Sequence, residues 1–198
     1  MDITIDNIVA LYKRKNYILT DFNIGGIRFN DNEDLFTDIR FLLYKSNGEY
    51  ILKQWNQTTK PGKSALLKPV NALGCAILKE GQYINCWAVG LHFGHNALMQ
   101  IGKLNILRDN KKNGTFETEG LLEVDGSQGN GIDLHGVWAS NIPNWDGEYP
   151  NVGNWSEGCQ VMARPHENED FITLCKASGL KYFTYTLFNI TDVQALQS

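Results

Sequence analysis

Two stretches of this chain carry the residue types that acyl-transfer chemistry needs. Gly131-Ile132-Asp133-Leu134-His135-Gly136 is an alternating run ending in a histidine, and Ser156-Glu157-Gly158-Cys159 sets a cysteine directly after a glycine. Cysteine attacks a carbonyl as its thiolate, so it needs a base or a positive field beside it. Histidine is the usual base, because imidazole titrates near neutral pH. A glycine before the nucleophile lets backbone and substrate approach closely, and the Cys159 N–H would then help to hold an oxyanion. Spacing alone does not settle this, since a cysteine is more often a buried packing residue than a nucleophile.

The remaining histidines and acids compete for roles. His92 and His95 straddle a glycine in GLHFGHN at the end of an apolar run. His92 is a candidate for substrate contact in the same cleft, against the plainer reading of a packed or surface histidine. His166, in the polar run ARPHENED, is a rival base for Cys159. Asp133 stands two residues before His135 and so shares its strand face; it would orient His135 or bind a substrate amine, or simply face solvent. Asp109 reads as a turn former. His92, His95, His135 and Cys159 together make an alternative zinc-ligand set for a zinc peptidase, although no HExxH occurs.

The elements that must position these groups are mostly β. Ile5, Ile8, Val9 and Tyr12 have helical spacing, which predicts an amphipathic helix over 5–16. IRFLLYKS, Asn47-Gly48 and EYILKQW form a strong hairpin signal, because both turn residues tolerate positive φ. AILKEGQYINCWAVGLHF, ALMQIGKLNILRD, TFETEGLLEV, GIDLHGVW and KYFTYTLF are further strand-like runs. Residues 168–178 predict a second helix, with Asn168 or Glu169 near its start and Gly179 past its end. Arg108 to Gly114 reads as a polar turn that lacks the ligand pattern of a calcium loop. Residues 137–157 form a long loop with Trp138, Trp145, Trp155, Pro143 and Pro150. Loops of that length tend to be functional, and exposed aromatics suit sugar or peptide contact, with Trp155 a candidate substrate contact. The alternative is that these rings cap the sheet.

The order His135-Gly136, a loop, then Ser156-Glu157-Gly158-Cys159 resembles the catalytic domain of L,D-transpeptidases of the YkuD type. That family carries an upstream Thr-Pro-x-Gly-like turn, and Thr58-Thr59-Lys60-Pro61-Gly62 stands at a similar place here. The pattern TTKPG, EGQY, GLHFG, RDN, LHG and GCQV also resembles small phage-encoded lysin-like proteins. The resemblance implies a YkuD-like β-sandwich or barrel and a Cys159 nucleophile with His135 as base. It further implies turn and oxyanion donors from Gly158 and Cys159, loop support from Ser156, and a carbonyl near Gly136 orienting the imidazole. Glu157 stands where the family has histidine, and Cys159-Gln160-Val161 replaces its Cys-x-Arg continuation. A carboxylate beside a thiol raises its pKa unless it is paired or points away, so Glu157 is carried as a possible substrate contact.

The resulting expectation is one mostly-β domain over 1–198 with two short helices: a lead-in over 1–20 and a YkuD-like core over 55–190. Hydrophobic residues make up 42% and charged residues 20% of the 198 positions, which excludes a wholly disordered chain. A net charge of −4 argues against a nucleic-acid backbone binder. No apolar run is long enough to insert in a membrane, and neither GxGxxG nor a Walker pattern occurs. The start, MDITIDNIVALYKRKNY, lacks an export signal, which predicts synthesis in a cytoplasm and four cysteines kept as thiols. The function expected is acyl transfer on peptidoglycan stem peptides through a Cys159 thioester, by hydrolysis or transpeptidation. It would need no cofactor or resident metal, and would serve as a phage lysin acting after release or from a virion. A non-catalytic virion or wall-binding module that retains the fold is the competing class.

Overall fold

The computed structural model describes residues 3–31, 34–117, 122–126 (backbone only), 131–138 and 147–196. Helix α1 (Ile5–Arg14) starts where Thr4 and Asn7 cap each other: the Thr4 hydroxyl accepts from the Asn7 N–H and the Asn7 side chain accepts from the Thr4 N–H. It buries Ile8, Leu11 and Tyr12, and the Tyr12 hydroxyl donates to Thr186 Oγ1 at 3.0 Å. Strands β1 (Phe22–Arg28), β2 (Asp38–Ser46) and β3 (Glu49–Thr58) follow. Asn47 and Gly48 have φ of 53° and 86°, so the hairpin turn takes the conformation its residue types favour.

Helix α2 (Lys63–Leu67) leads to β4 (Cys75–Leu78), β5 (Gly81–His92), β6 (His95–Gln100), β7 (Leu104–Asp109) and β8 (Leu122–Gly126). The chain continues through β9 (Leu134–Gly136), β10 (Gln160–Met162), α3 (Pro165–Ala177), β11 (Phe183–Asn189) and α4 (Ile190–Gln194). Eight strands close a barrel in the order β1-β11-β5-β6-β9-β10-β3-β2, and β4-β7-β8 form a separate antiparallel sheet. The mostly-β expectation holds, and closure takes in β1 and β2 as well as strands within 55–190.

The described residues hold four helices rather than two. The additional ones, α2 and α4, are five residues long, too short to show a period. The α3 helix also begins earlier than Asn168: Arg164 is its N-cap and Pro165 sits in its first turn, where a missing N–H costs nothing.

The barrel core packs Trp87, Tyr83, Tyr185, Phe183, Leu98, Leu134 and Met162 against Phe171, Ile172 and Cys175 of α3. Asp109 is the turn former expected: its carboxylate accepts from the Lys111 and Glu117 N–H groups. Trp145 and Pro143 lie outside the described residues.

Candidate functional site

β9 and β10 are three-residue parallel strands paired in the barrel wall, with Val161 opposite His135. The Gln160 N–H donates to the Asp133 carbonyl at 2.9 Å, which brings Cys159 alongside the start of β9. The long connection 137–159 thus lets the two halves of the candidate dyad meet. Cys159 Sγ and one ring nitrogen each from His135 and His92 lie within 4.8 Å of one another.

The ring of His135 is held in a definite tautomer. Nδ1 lies 2.9 Å from the Gly136 carbonyl, which can only accept, so Nδ1 carries the proton and Nε2 the lone pair. Nε2 is buried and makes no hydrogen bond among the described residues. Burial above all, then the neighbouring His92, pushes the imidazole pKa down to about 3. Cys159 is 8% exposed, and its thiol donates to the Gly131 carbonyl at 2.9 Å. Burial, and next the Asp133 charge, push its pKa up to about 12, with a smaller push from Glu157. The resting pair is therefore neutral thiol and neutral imidazole.

This electrostatic state has two measurable consequences. Alkylation of Cys159 by iodoacetamide is expected to rise about tenfold per pH unit from about pH 6 to about pH 9. A flat profile in stopped-flow or mass-spectrometric rates would instead mark a preformed thiolate–imidazolium pair. Folding stability carries the second. The unfolded imidazole titrates near 6.5 and the folded one near 3. As pH falls through that interval the unfolded chain binds a proton that the folded chain refuses. The His135 contribution is thus complete above about pH 6.5 and is lost by about 1.4 kcal/mol per unit below it. Urea denaturation of His135→Gln should show a shallower acid slope than the parent.

The Gly-Cys turn is braced on three sides. Ser156 Oγ, fully buried, donates to the Cys159 carbonyl at 2.9 Å and accepts from the Gly158 N–H at 3.0 Å. The Ser156 carbonyl accepts from Gly62 of the TTKPG segment, and the Glu157 carbonyl from Ala76 of β4. Gly158 has φ of 147°, and a Cβ there would sit 2.8 Å from Ile132 Cδ1 and 2.9 Å from the Ala76 carbonyl oxygen. Ser156 supports the loop as expected. Because Ser156 holds the Gly158 N–H, Gly158 supplies the turn but not an oxyanion donor. The Cys159 N–H, in contrast, meets no acceptor among the described residues.

Two expectations, those for Asp133 and His95, need revision. Asp133 orients His92 rather than His135: its carboxylate lies 2.9 Å from His92 Nδ1 and accepts from the Gln100 N–H at 2.8 Å. Glu157 accepts from the Val70 N–H at 2.8 Å, which ties its carboxylate to the segment before β4. His95 does not join the proposed zinc set; it is exposed and stacks on Trp138 at 4.6 Å. His166 is exposed on α3. Trp155 packs edge-on against Trp138 at 4.7 Å and Tyr149 at 5.1 Å, beside the apolar cluster that includes Cys159.

Some contributors were not legible in the sequence. The rings of His92 and His135 are stacked at 4.2 Å and 13°. Gln100, which closes the ALMQ run, also accepts from the Ile132 N–H at 3.0 Å, so one residue steadies both Ile132 and Asp133. Behind Cys159, Arg40 donates to the Gln160 carbonyl at 2.5 Å and to Gln57 Oε1 at 2.9 Å. Tyr185 donates to Gln160 Oε1, and Gln160 Nε2 donates to the Gly158 carbonyl, both at 3.2 Å. A cavity of about 540 Å³ lined by Phe22, Tyr44, Leu174 and Tyr182 includes none of these groups.

No family model, no curated protein and no solved structure matches this chain. No helix among the described residues is long and apolar enough to cross a membrane.

Proposed function

We propose that the chain is a cysteine-dependent enzyme acting on peptidoglycan stem peptides, of the L,D-transpeptidase-like class. One observation carries the reading: His135 is tautomer-locked with a buried, unengaged Nε2 among the described residues, and a nitrogen of its ring lies within 4.8 Å of the Cys159 sulfur. In the first step the Cys159 proton passes to His135 Nε2 and sulfur bonds to the peptide carbonyl carbon. The carbonyl oxygen becomes an oxyanion facing the Cys159 N–H. Collapse breaks the C–N bond, the imidazolium returns its proton to the leaving amine, and a thioester remains. Water or a second amine, giving up a proton to His135, then attacks the thioester carbon; the C–S bond breaks, sulfur regains the proton, and the product is that of hydrolysis or transfer.

The neutral resting pair makes proton transfer part of the first step rather than a preliminary to it. A phage lysin working at the wall after release, or from a virion, is the setting this activity would suit. Incubating the protein with defined muropeptides, with and without an amine acceptor, and weighing the products tests the reading. Exchanged residues mean transfer, and lost residues mean hydrolysis.

The low exposure and raised pKa of Cys159 favour a second reading, a non-catalytic wall or virion module that keeps the fold. Unchanged muropeptides, together with iodoacetamide labelling of Cys159 no faster than Cys75, Cys86 or Cys175, would decide for it.

A further inference from the structure

We propose that His92, His135 and Cys159 form a binding site for one zinc-class divalent cation, which would occupy the nucleophile and so hold the thiol inactive. The inference rests on the same pocket as the acyl-transfer reading but does not require that reading to be right.

One nitrogen of each ring is already engaged. His92 Nδ1 faces the Asp133 carboxylate and His135 Nδ1 faces the Gly136 carbonyl, each at 2.9 Å. An imidazole whose one nitrogen donates to a carboxylate or carbonyl presents a lone pair on the other, and this outer hydrogen bond is the usual companion of a metal-bound histidine. The nitrogen left on each ring is Nε2, and on His135 it is buried without a partner among the described residues. Cysteine sulfur beside two imidazoles is a donor set for zinc, with a fourth position left for water or substrate.

Size agrees as well. The three ligand atoms lie within 4.8 Å of one another. Tetrahedral zinc would hold such atoms about 3.3–3.6 Å apart, so closure by about 1 Å completes the site. His92 is the ligand with room to move: it ends β5 and its side chain is 16% exposed. The Asp133 carboxylate adds a negative charge just behind the ligands, where it offsets the cation. Binding would release the Cys159 proton to solvent. A metal-held sulfur cannot attack a carbonyl, so metal occupancy and thioester formation exclude one another.

The test titrates reduced, EDTA-treated full-length protein with Co²⁺ and then Zn²⁺. One equivalent of cobalt should bring up a sulfur-to-cobalt charge-transfer band and the visible bands of four-coordinate cobalt, and zinc should bleach both. His92→Ala, His135→Ala and Cys159→Ser should each weaken binding about 100-fold or more, and Asp133→Asn about 10- to 100-fold. Cys86→Ala should leave it unchanged. Zinc should also slow iodoacetamide labelling of unaltered protein at Cys159, with EDTA restoring the rate, a readout that needs no variant to fold. The proposal is overturned by absence of the charge-transfer band, or by a band that depends on Cys159 yet keeps full affinity in both histidine variants. Absence of muropeptide turnover by the metal-free protein, with the cobalt band intact on titration, removes the acyl-transfer reading alone. Cys159-dependent turnover without any cobalt band removes the metal site alone.

Discussion

Cys159→Ala is expected to lower muropeptide turnover by about 10⁴-fold or more, because in the proposed reaction it removes the nucleophile and with it the covalent route. His135→Ala should cost a similar factor. With the thiol held near a pKa of 12, almost no thiolate exists at neutral pH unless His135 Nε2 accepts its proton during attack. The double variant should be no worse than the worse single, since the two residues act in one step. Liquid chromatography with mass detection of muropeptide products measures all three, and melting curves show whether the folds match. Turnover that survives in Cys159→Ala within tenfold of the parent would rule out a thioester.

Trp87→Ala is expected to destabilise the protein by about 3–5 kcal/mol, the range for deleting a large buried aromatic. Trp87 is fully buried and meets Tyr83 and Tyr185 edge-on at 6.2 and 5.6 Å. Its indole N–H also donates to the Ile132 carbonyl at 2.9 Å, directly before Asp133. The effect should therefore split. Trp87→Phe keeps much of the packing but strands a buried carbonyl, at about 1–3 kcal/mol. Guanidinium denaturation separates the two, and an alanine variant within 1 kcal/mol of the parent would show that the barrel does not depend on the indole.

Local signals in the chain report local structure well. Asn47-Gly48 specifies its hairpin because few other pairs accept two positive φ values, and the capped, periodic start of α1 is equally self-contained. The start of α3 is harder to place although Pro165 marks it, because the polar run after it offers Asn168 or Glu169 as a second cap. His135 and Cys159 could be paired as candidates on residue type, while the support role of Ser156 came only with the family resemblance.

The sequence by itself thus determined a mostly-β chain, its main hairpin, two of its helices, and which sulfur and imidazole were worth pairing. Barrel closure, the β9–β10 register, the stacking of His92 on His135 and the capture of His92 by Asp133 were decided only by the tertiary structure. The reason is physical. Turns and caps are set by hydrogen bonds within a few residues, whereas His92 and Asp133 are 41 positions apart and meet only because β5, β6 and β9 lie side by side in the barrel wall. The same holds for charge: burial, a property of the packed state, sets the thiol and the imidazole far from their ordinary pKa values.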